Sequence, residues 1–305
     1  MSKVVAILCS DLHFSHTAPS FRSAEPDWYE AMKRGIDELK SVAEEHRAPI
    51  ICAGDVLDRW NTSSELTNFL IDNLPPLYSI YGQHDAPFHR GEDLHRSAYG
   101  TLVRAGTLKE LGKIPSRIDS FWVHPFPWGK EITPLESLQR GYLHLAVVHR
   151  YIWDRPQNSY PGAEETKRTS AYEESLKGYT SAVFGDNHRG FNTKIGSCNV
   201  MNCGTFFRRK SDEIIYRPMI GLLHSDGVIE PHYLDTSKDV YVENPIKKKV
   251  DDDRTESFLK ELEALGSDSL DFREAVNRYF DQNETEPLIK DMVLEAIVNG
   301  GKERS

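Results

Sequence analysis

Cysteine is scarce in this chain, and the little there is forms no pattern. Four cysteines (Cys9, Cys52, Cys198, Cys203) in 305 residues are too sparse for a disulfide framework. No C-x-x-C pair suggests a zinc knuckle. Cys9 and Cys52 sit in apolar runs that read as buried strands, where a thiol behaves as a small hydrophobe. Also missing is any apolar run near the ~18–20 residues a membrane span needs. The opening MSKVVAILCSD has too short an apolar stretch for a signal peptide, so the expectation is a cytoplasmic protein with no membrane partner. Positive charge is in deficit too. The formal net charge of −10 argues at first sight against a nucleic-acid partner. Residues 239–305 carry much of it, with 17 acids and 10 bases against 30 and 27 before them. The charge therefore neither supports nor excludes a phosphodiester substrate.

The first 240 or so residues alternate short apolar runs with helical patterns, as α/β layers do. Residues 3–9, 49–53 and 77–81 read as strands. Residues 26–46, 63–74 and 94–105 read as helices; in the first, Trp28, Met32, Ile36, Leu39 and Ala43 recur at helical spacing. Strands then take over, at 117–124, 143–148, 182–185, 198–202, 214–223 and 228–234. Residues 150–180 form a polar, aromatic-bearing excursion of a length that usually serves function or is disordered. The expected organisation is a catalytic domain over 1–238, followed by a charged linker and helical segment over 239–305. Three apolar stripes mark that tail: Phe258, Leu259, Leu262 and Leu265; Phe272, Val276, Tyr279 and Phe280; Leu288, Met292, Ala296 and Ile297.

Five short motifs stand in order, each at the C-terminal end of an expected strand. They are Asp11-Leu12-His13, Gly54-Asp55-Val56-Leu57-Asp58, Gly82-Gln83-His84-Asp85, His149, and Gly185-Asp186-Asn187-His188. Strand ends are where α/β sheets place ligands and catalysts. The glycines suit tight turns that let backbone approach an ion closely. One such motif says little, but five in order, rich in carboxylate, amide and imidazole, point to one metal-dependent site.

On these motifs the sequence resembles the calcineurin-like metallophosphoesterase superfamily, whose pattern is D-x-H, G-D-x-x-D, G-N-H-[DE], a lone H and G-H-x-H. The resemblance implies two packed mixed β-sheets flanked by helices, with a two-metal site between them. It implies that Asp11, His13, Asp55 and His188 hold one divalent ion. Asp55 would bridge to a second, shared with Gln83, His149 and Asp186. Two ions ~3.5–4 Å apart lower the pKa of a shared water and clamp phosphoryl oxygens during in-line attack. Imidazole mixed with carboxylate favours Mn, with Fe, Zn or Mg as alternatives. His84 matches the family histidine that protonates the leaving oxygen, with Asp58 orienting it.

Two departures fall on the second ion: Gln83 replaces the family asparagine, and Asp186 the first histidine of G-H-x-H. A carboxylate is harder than imidazole, so the expectation is a retuned site that takes a harder ion such as Mn; the alternative is a degraded site with a weakly held ion. Within the superfamily the chain looks most like SbcD-type DNA-repair nucleases, including phage versions. Pro125-Phe126-Pro127-Trp128, the Gly204-Thr205 turn and Arg208-Arg209-Lys210 carry that likeness. It implies a DNA exo- or endonuclease whose tail docks an SMC-like ATPase; the tail could equally cap the domain or make a homodimer. Arg90, Arg208 and Arg209 could meet phosphates, and Tyr151 and Trp153 could stack on bases or pack the excursion onto the core. A phosphomonoesterase and a non-catalytic metal-binding scaffold remain the other readings.

Overall fold

The computed structural model describes residues 2–112, 114–118, 120–135 and 141–242. The chain divides into two compact units, Met1–Pro245 and Ile246–Ser305. The three expected helical stripes of the tail lie outside the described residues. Residues 239–242, assigned from sequence to the linker, instead belong to the first unit. Asp239 pairs with the buried Arg22 at 2.8 Å, Val242 N–H donates to the Phe21 carbonyl at 3.0 Å, and the Tyr241 ring stacks on Phe21.

Twelve strands form two six-stranded sheets. The first takes β1 (Val4–Cys9), β2 (Ile50–Cys52), β3 (Leu77–Ser79), β4 (Leu108–Glu110), β11 (Met219–His224) and β12 (Ile229–Tyr233) in the order β12-β11-β1-β2-β3-β4. The second takes β5 (Ser116–Ile118), β6 (Phe121–Phe126), β7 (Leu143–His149), β8 (Ser181–Gly185), β9 (Phe191–Ile195) and β10 (Cys198–Asn202) in the order β5-β6-β7-β8-β10-β9. Both are mixed: β1-β2-β3-β4 and β6-β7-β8-β10 run parallel, and antiparallel strands close the β12 edge of the first sheet and both edges of the second.

Strand alternation divides the core into three layers. Ala6 and Leu8 of β1 meet Leu145 and Val147 of β7 in the layer between the sheets. Ile7 and Cys9 face the other way, onto α1 (Trp28–His46), whose Met32, Ile36 and Leu39 are fully buried. The Asp27 carboxylate caps that helix, accepting from Tyr29 N–H at 2.8 Å and Glu30 N–H at 3.2 Å. Two further helices, α2 (Ser64–Asn73) and α3 (Ala98–Ala105), are capped by Ser63 and Ser97. On the outer face of the second sheet, Ala146 and Val148 pack under Ile152, Tyr172, Leu176 and Tyr179. The excursion over 150–180 thus covers this face with short 3-10 turns, doing what helices do for the first sheet. No helix among the described residues is long and apolar enough to cross a membrane.

Three expected elements differ from those observed, and two observed strands were not expected. The third helix begins at Ala98, not 94, because Ser97 Oγ accepts from Gly100 N–H and the residues before it wind as a 3-10 turn. The strand expected over 117–124 is two strands, β5 and β6, paired with each other. The strand expected from 214 starts at Met219: Ile214 and Ile215 are exposed, and the chain there turns on the Tyr216 N–H bond to the Glu213 carbonyl. Strands β4 and β9 carry too little apolar alternation, LKE and FNTKI, to be read from sequence.

Candidate active site

The parallel strands β1, β2, β3, β7 and β8 deliver the five motifs to one end of the two sheets. Beyond β1 and β2 the loops stay zipped together. Asp11, His13 and Phe14 donate their N–H groups to the carbonyls of Gly54, Asp55 and Val56, each at 3.0 Å. That ladder holds a strained backbone at Asp11, His13 and Asp55, and Asp186 beyond β8 is strained too; all four have φ between 43° and 85°. Non-glycine residues in this region cost ~1 kcal/mol or more each and persist where the surroundings over-determine them. The glycines matter for side-chain space. A Cβ on Gly54 would lie 2.4 Å from His149 Nδ1, and one on Gly82 would lie 2.1 Å from Asp55 Oδ1. The two glycines thus leave room for the His149 and Asp55 side chains.

Asp11, His13 and His188 form the first cluster, their donor atoms within 4.8 Å of one another. The Nε2 atoms of His13 and His188 are 3.0 Å apart, and His13 Nε2 lies 3.8 Å from Asp11 and 3.7 Å from Asp55. Burial, with His188, Arg209 and His84 around it, holds His13 well below the usual imidazole range, so the ring is neutral and able to ligate. His188 Nδ1 faces the Glu213 carboxylate at 3.4 Å. Burial opposes its charge, yet Glu213 and Asp11 raise its pKa overall. Burial pushes Asp11 up to about 6 against the pull of His188 and His149.

Asp11, Asp55 and His149 form the second cluster, with Gln83 and Asp186 beside it. His149 Nδ1 donates to the Ala53 carbonyl at 2.6 Å, which turns Nε2 inward. That Nε2 is 3.3 Å from Asp55 Oδ2 and 2.7 Å from Gln83 Oε1. Gln83 Nε2 donates to Asp186 Oδ1 at 2.8 Å. Burial disfavours a charged His149, but Asp55, with Asp11 and Asp186 behind it, holds the imidazole well above its usual value.

This donor set fits divalent cations. Asp55 Oδ2 is buried and, among the described residues, has no hydrogen-bond donor, although three imidazole Nε2 atoms stand within 4.0 Å of it. Acceptors converging on an unpaired buried carboxylate are unfavourable unless protons or cations lie among them. A family model described as calcineurin-like phosphoesterase matches residues 5–300. The chain belongs to that family. A search of curated proteins finds no match. Among solved structures, an archaeal phosphodiesterase is 14% identical with a TM-score of 0.35, covering 78% of this chain and 96% of that one. The phosphopantetheinyl hydrolase of Mycobacterium tuberculosis is also 14% identical, with a TM-score of 0.39 and coverage of 77% and 97%.

In this phosphoesterase His84 stands at the open side of both clusters, its side chain 42% exposed and its Nε2 4.0 Å from Asp55 Oδ2. Its N–H donates to Asp55 Oδ1 at 2.9 Å. Asp58 does meet His84, but through its main-chain carbonyl, which accepts from Nδ1 at 2.9 Å. The Asp58 carboxylate is taken by Arg209 and lies 4.0 Å from His13 Nδ1.

The candidate substrate contacts scatter. Arg209 reaches the site through Asp58, whereas Arg208 is turned away, donating to the Tyr216 carbonyl and the Tyr241 hydroxyl. Arg90 is exposed and paired with Asp93 at 2.6 Å. Trp153 offers no stacking face: it is 5% exposed and packs into the excursion, with Nε1 donating to the Glu164 carbonyl. Tyr151 is half-buried beside Tyr160. Two residues with structural duties at the site went unread in the sequence. Glu213 accepts from the N–H groups of Arg209 and Lys210 as it faces His188. Asp85, pushed up to about 7 by burial and by Asp55, gathers the N–H groups of Val56, Leu57 and Gly82 at 2.9–3.2 Å. The motif flagged Asp85 without a role, and nothing local marks Glu213.

Proposed function

We propose that this protein is a two-metal phosphodiester hydrolase acting on DNA, with Mn as its working ion. The charge of the site carries the diester reading. Four carboxylates, from Asp11, Asp55, Asp58 and Asp186, surround it, and the Arg209 guanidinium is already committed to one of them. Two divalent cations bring that set near neutrality, which disfavours a dianionic monoester more than a monoanionic diester. Asp186 adds a negative charge where the family pattern has imidazole.

Asp11, His13, Asp55 and His188 would hold one ion, and Asp55, Gln83, His149 and Asp186 the other. Such a pair supplies an activated water and neutralises charge on the phosphoryl oxygens. His84 does the proton chemistry. Its Nδ1–H is fixed by the Asp58 carbonyl, so the exposed Nε2 is the atom that carries a proton to the leaving oxygen. Carboxylate and amide oxygens at the second position favour Mn. Support for DNA comes from Arg189, directly after His188, whose guanidinium lies 4.6 Å over the Tyr160 ring and also meets the Ser159 carbonyl and Asp212. Cations beside aromatic faces are what single strands bind. The test is hydrolysis of linear DNA and bis(p-nitrophenyl) phosphate against p-nitrophenyl phosphate in Mn. Turnover of both diesters is expected, and a monoester preference would sink the reading.

A further inference from the structure

Beside the metal-ligand clusters lies a polar pocket of about 550 Å³, bounded by the loop after β1, the turn between β2 and α2, and Arg209 beyond β10. That volume suits a nucleotide-sized fragment. Asp58 joins the pocket to the site: it lines the wall, and its carboxylate lies within 4.8 Å of ring nitrogens of His13 and His84. The guanidiniums of Arg59 and Arg209 line the pocket together with this one carboxylate, which Arg209 pairs. Arg209 Nε is buried and has no partner among the described residues. Arg59, Asn61 and Thr62 likewise make no side-chain hydrogen bond or ion pair among them. At the rim, His16 bonds the Tyr29 hydroxyl at 2.9 Å and lies 3.7 Å from Glu65. Ala18 and Pro19 are the only apolar residues of the lining. The wall therefore has surplus positive charge and spare donors, and the one aromatic ring in its lining, that of His16, packs edge-on to Tyr29.

We infer that this pocket binds the phosphate next to the scissile one, so that the preferred substrate is an oligonucleotide end carrying a further phosphate. Arg59 supplies the uncommitted charge, Asn61 and Thr62 the neutral donors. Arg209, held by Asp58, sets the distance from His84 to the pocket. The inference rests on the diesterase reading above and deepens it.

The substrates that test it are the dinucleotides TpT, pTpT and TpTp, which differ by one terminal phosphate. One of the two phosphorylated forms should exceed TpT in kcat/KM by about tenfold, the effect of one charge-assisted contact. Arg59→Ala, at an exposed position, should remove most of that advantage, and Arg59→Glu should reverse it. Binding of fluorescent pTpTpT and TpTpT in EDTA gives a second readout without turnover. The phosphorylated strand should bind more tightly to the wild type only. Equal handling of all three dinucleotides overturns the inference, as does an advantage that survives both Arg59 variants. Failure to cleave any dinucleotide or bis(p-nitrophenyl) phosphate in Mn would overturn the diesterase reading instead, while the EDTA experiment would still judge the pocket.

Discussion

The two halves of the site grow from the same sheet ends but are supported differently. Around Asp11, His13 and His188, the ligands are imidazole-rich, and Asp11 and His13 are at most 1% exposed. His188 is backed by a carboxylate, Glu213, itself 2% exposed. Around Gln83, His149 and Asp186, two of the three ligands are only half-buried. His149 is backed by a neutral carbonyl, and Gln83 and Asp186 already satisfy each other. A carboxylate behind a histidine raises its basicity as a ligand, whereas ligands that hydrogen-bond each other must give up that bond to a cation. On the two-ion reading proposed above, the first half would be preorganised for tight binding, and the second would hold its ion more weakly and exchange it more readily.

Asp55 is where the comparison breaks most completely, because both halves depend on its carboxylate. Asp55→Asn removes the shared charge and should lower turnover by ~10³-fold or more, several kcal/mol of transition-state stabilisation. Metal per chain should fall with it. Full metal content with wild-type turnover would show that the two halves share nothing. His84 belongs to neither half, so His84→Ala should cut kcat by ~10²–10⁴ and leave metal content unchanged. Loss of metal in that variant would make His84 a ligand.

Glu213 tests the asymmetry itself. Glu213→Gln keeps the shape but removes the charge facing His188. Competition against a chelator should show the tighter ion weakened by ~10–100-fold and the weaker one unaffected. Equal weakening of both ions, or of neither, would mean that the carboxylate is not what distinguishes the halves.

What was legible in the sequence divides along similar lines. Asp11, His13, Asp55, Gln83, His149, Asp186 and His188 could be read as one set because parallel strands end where ligands must be, and the strands announce themselves as apolar runs. The structure brings all of these donors to one end of the sheets. Supports that act across the fold left no local trace. Glu213 lies 25 residues from His188 in a 3-10 turn, and Arg209 meets Asp58 across 151 residues. Trp153 shows the opposite failure: an aromatic in a polar excursion looks available, but the second sheet needs a cover for Val148 and Phe184, and the excursion provides it. The edge strands β4 and β9 escaped because an edge tolerates polar residues on both faces.

The smallest effect, and the sharpest comparison, comes from changing the weaker half towards the family pattern. In the wild type its proposed ligands are an amide, a carboxylate and one imidazole besides Asp55. Gln83→Asn with Asp186→His replaces the carboxylate by imidazole and removes the Gln83–Asp186 hydrogen bond of 2.8 Å. Softer nitrogen in place of anionic oxygen should move the preference from Mn towards Zn, and the lost hydrogen bond no longer competes with the ion. Metal content after exposure to equal Mn and Zn should show one site shifting towards Zn and the other unchanged, with turnover in Zn rising relative to Mn. The Asp186→Ala variant separates charge from geometry: it should lose the weaker ion while keeping the tighter one. If the double variant partitions the two metals as the wild type does, or if Asp186→Ala retains both ions and full activity, then Gln83 and Asp186 do not tune an ion. Their mutual hydrogen bond would then be a structural lock between the β3 and β8 loops.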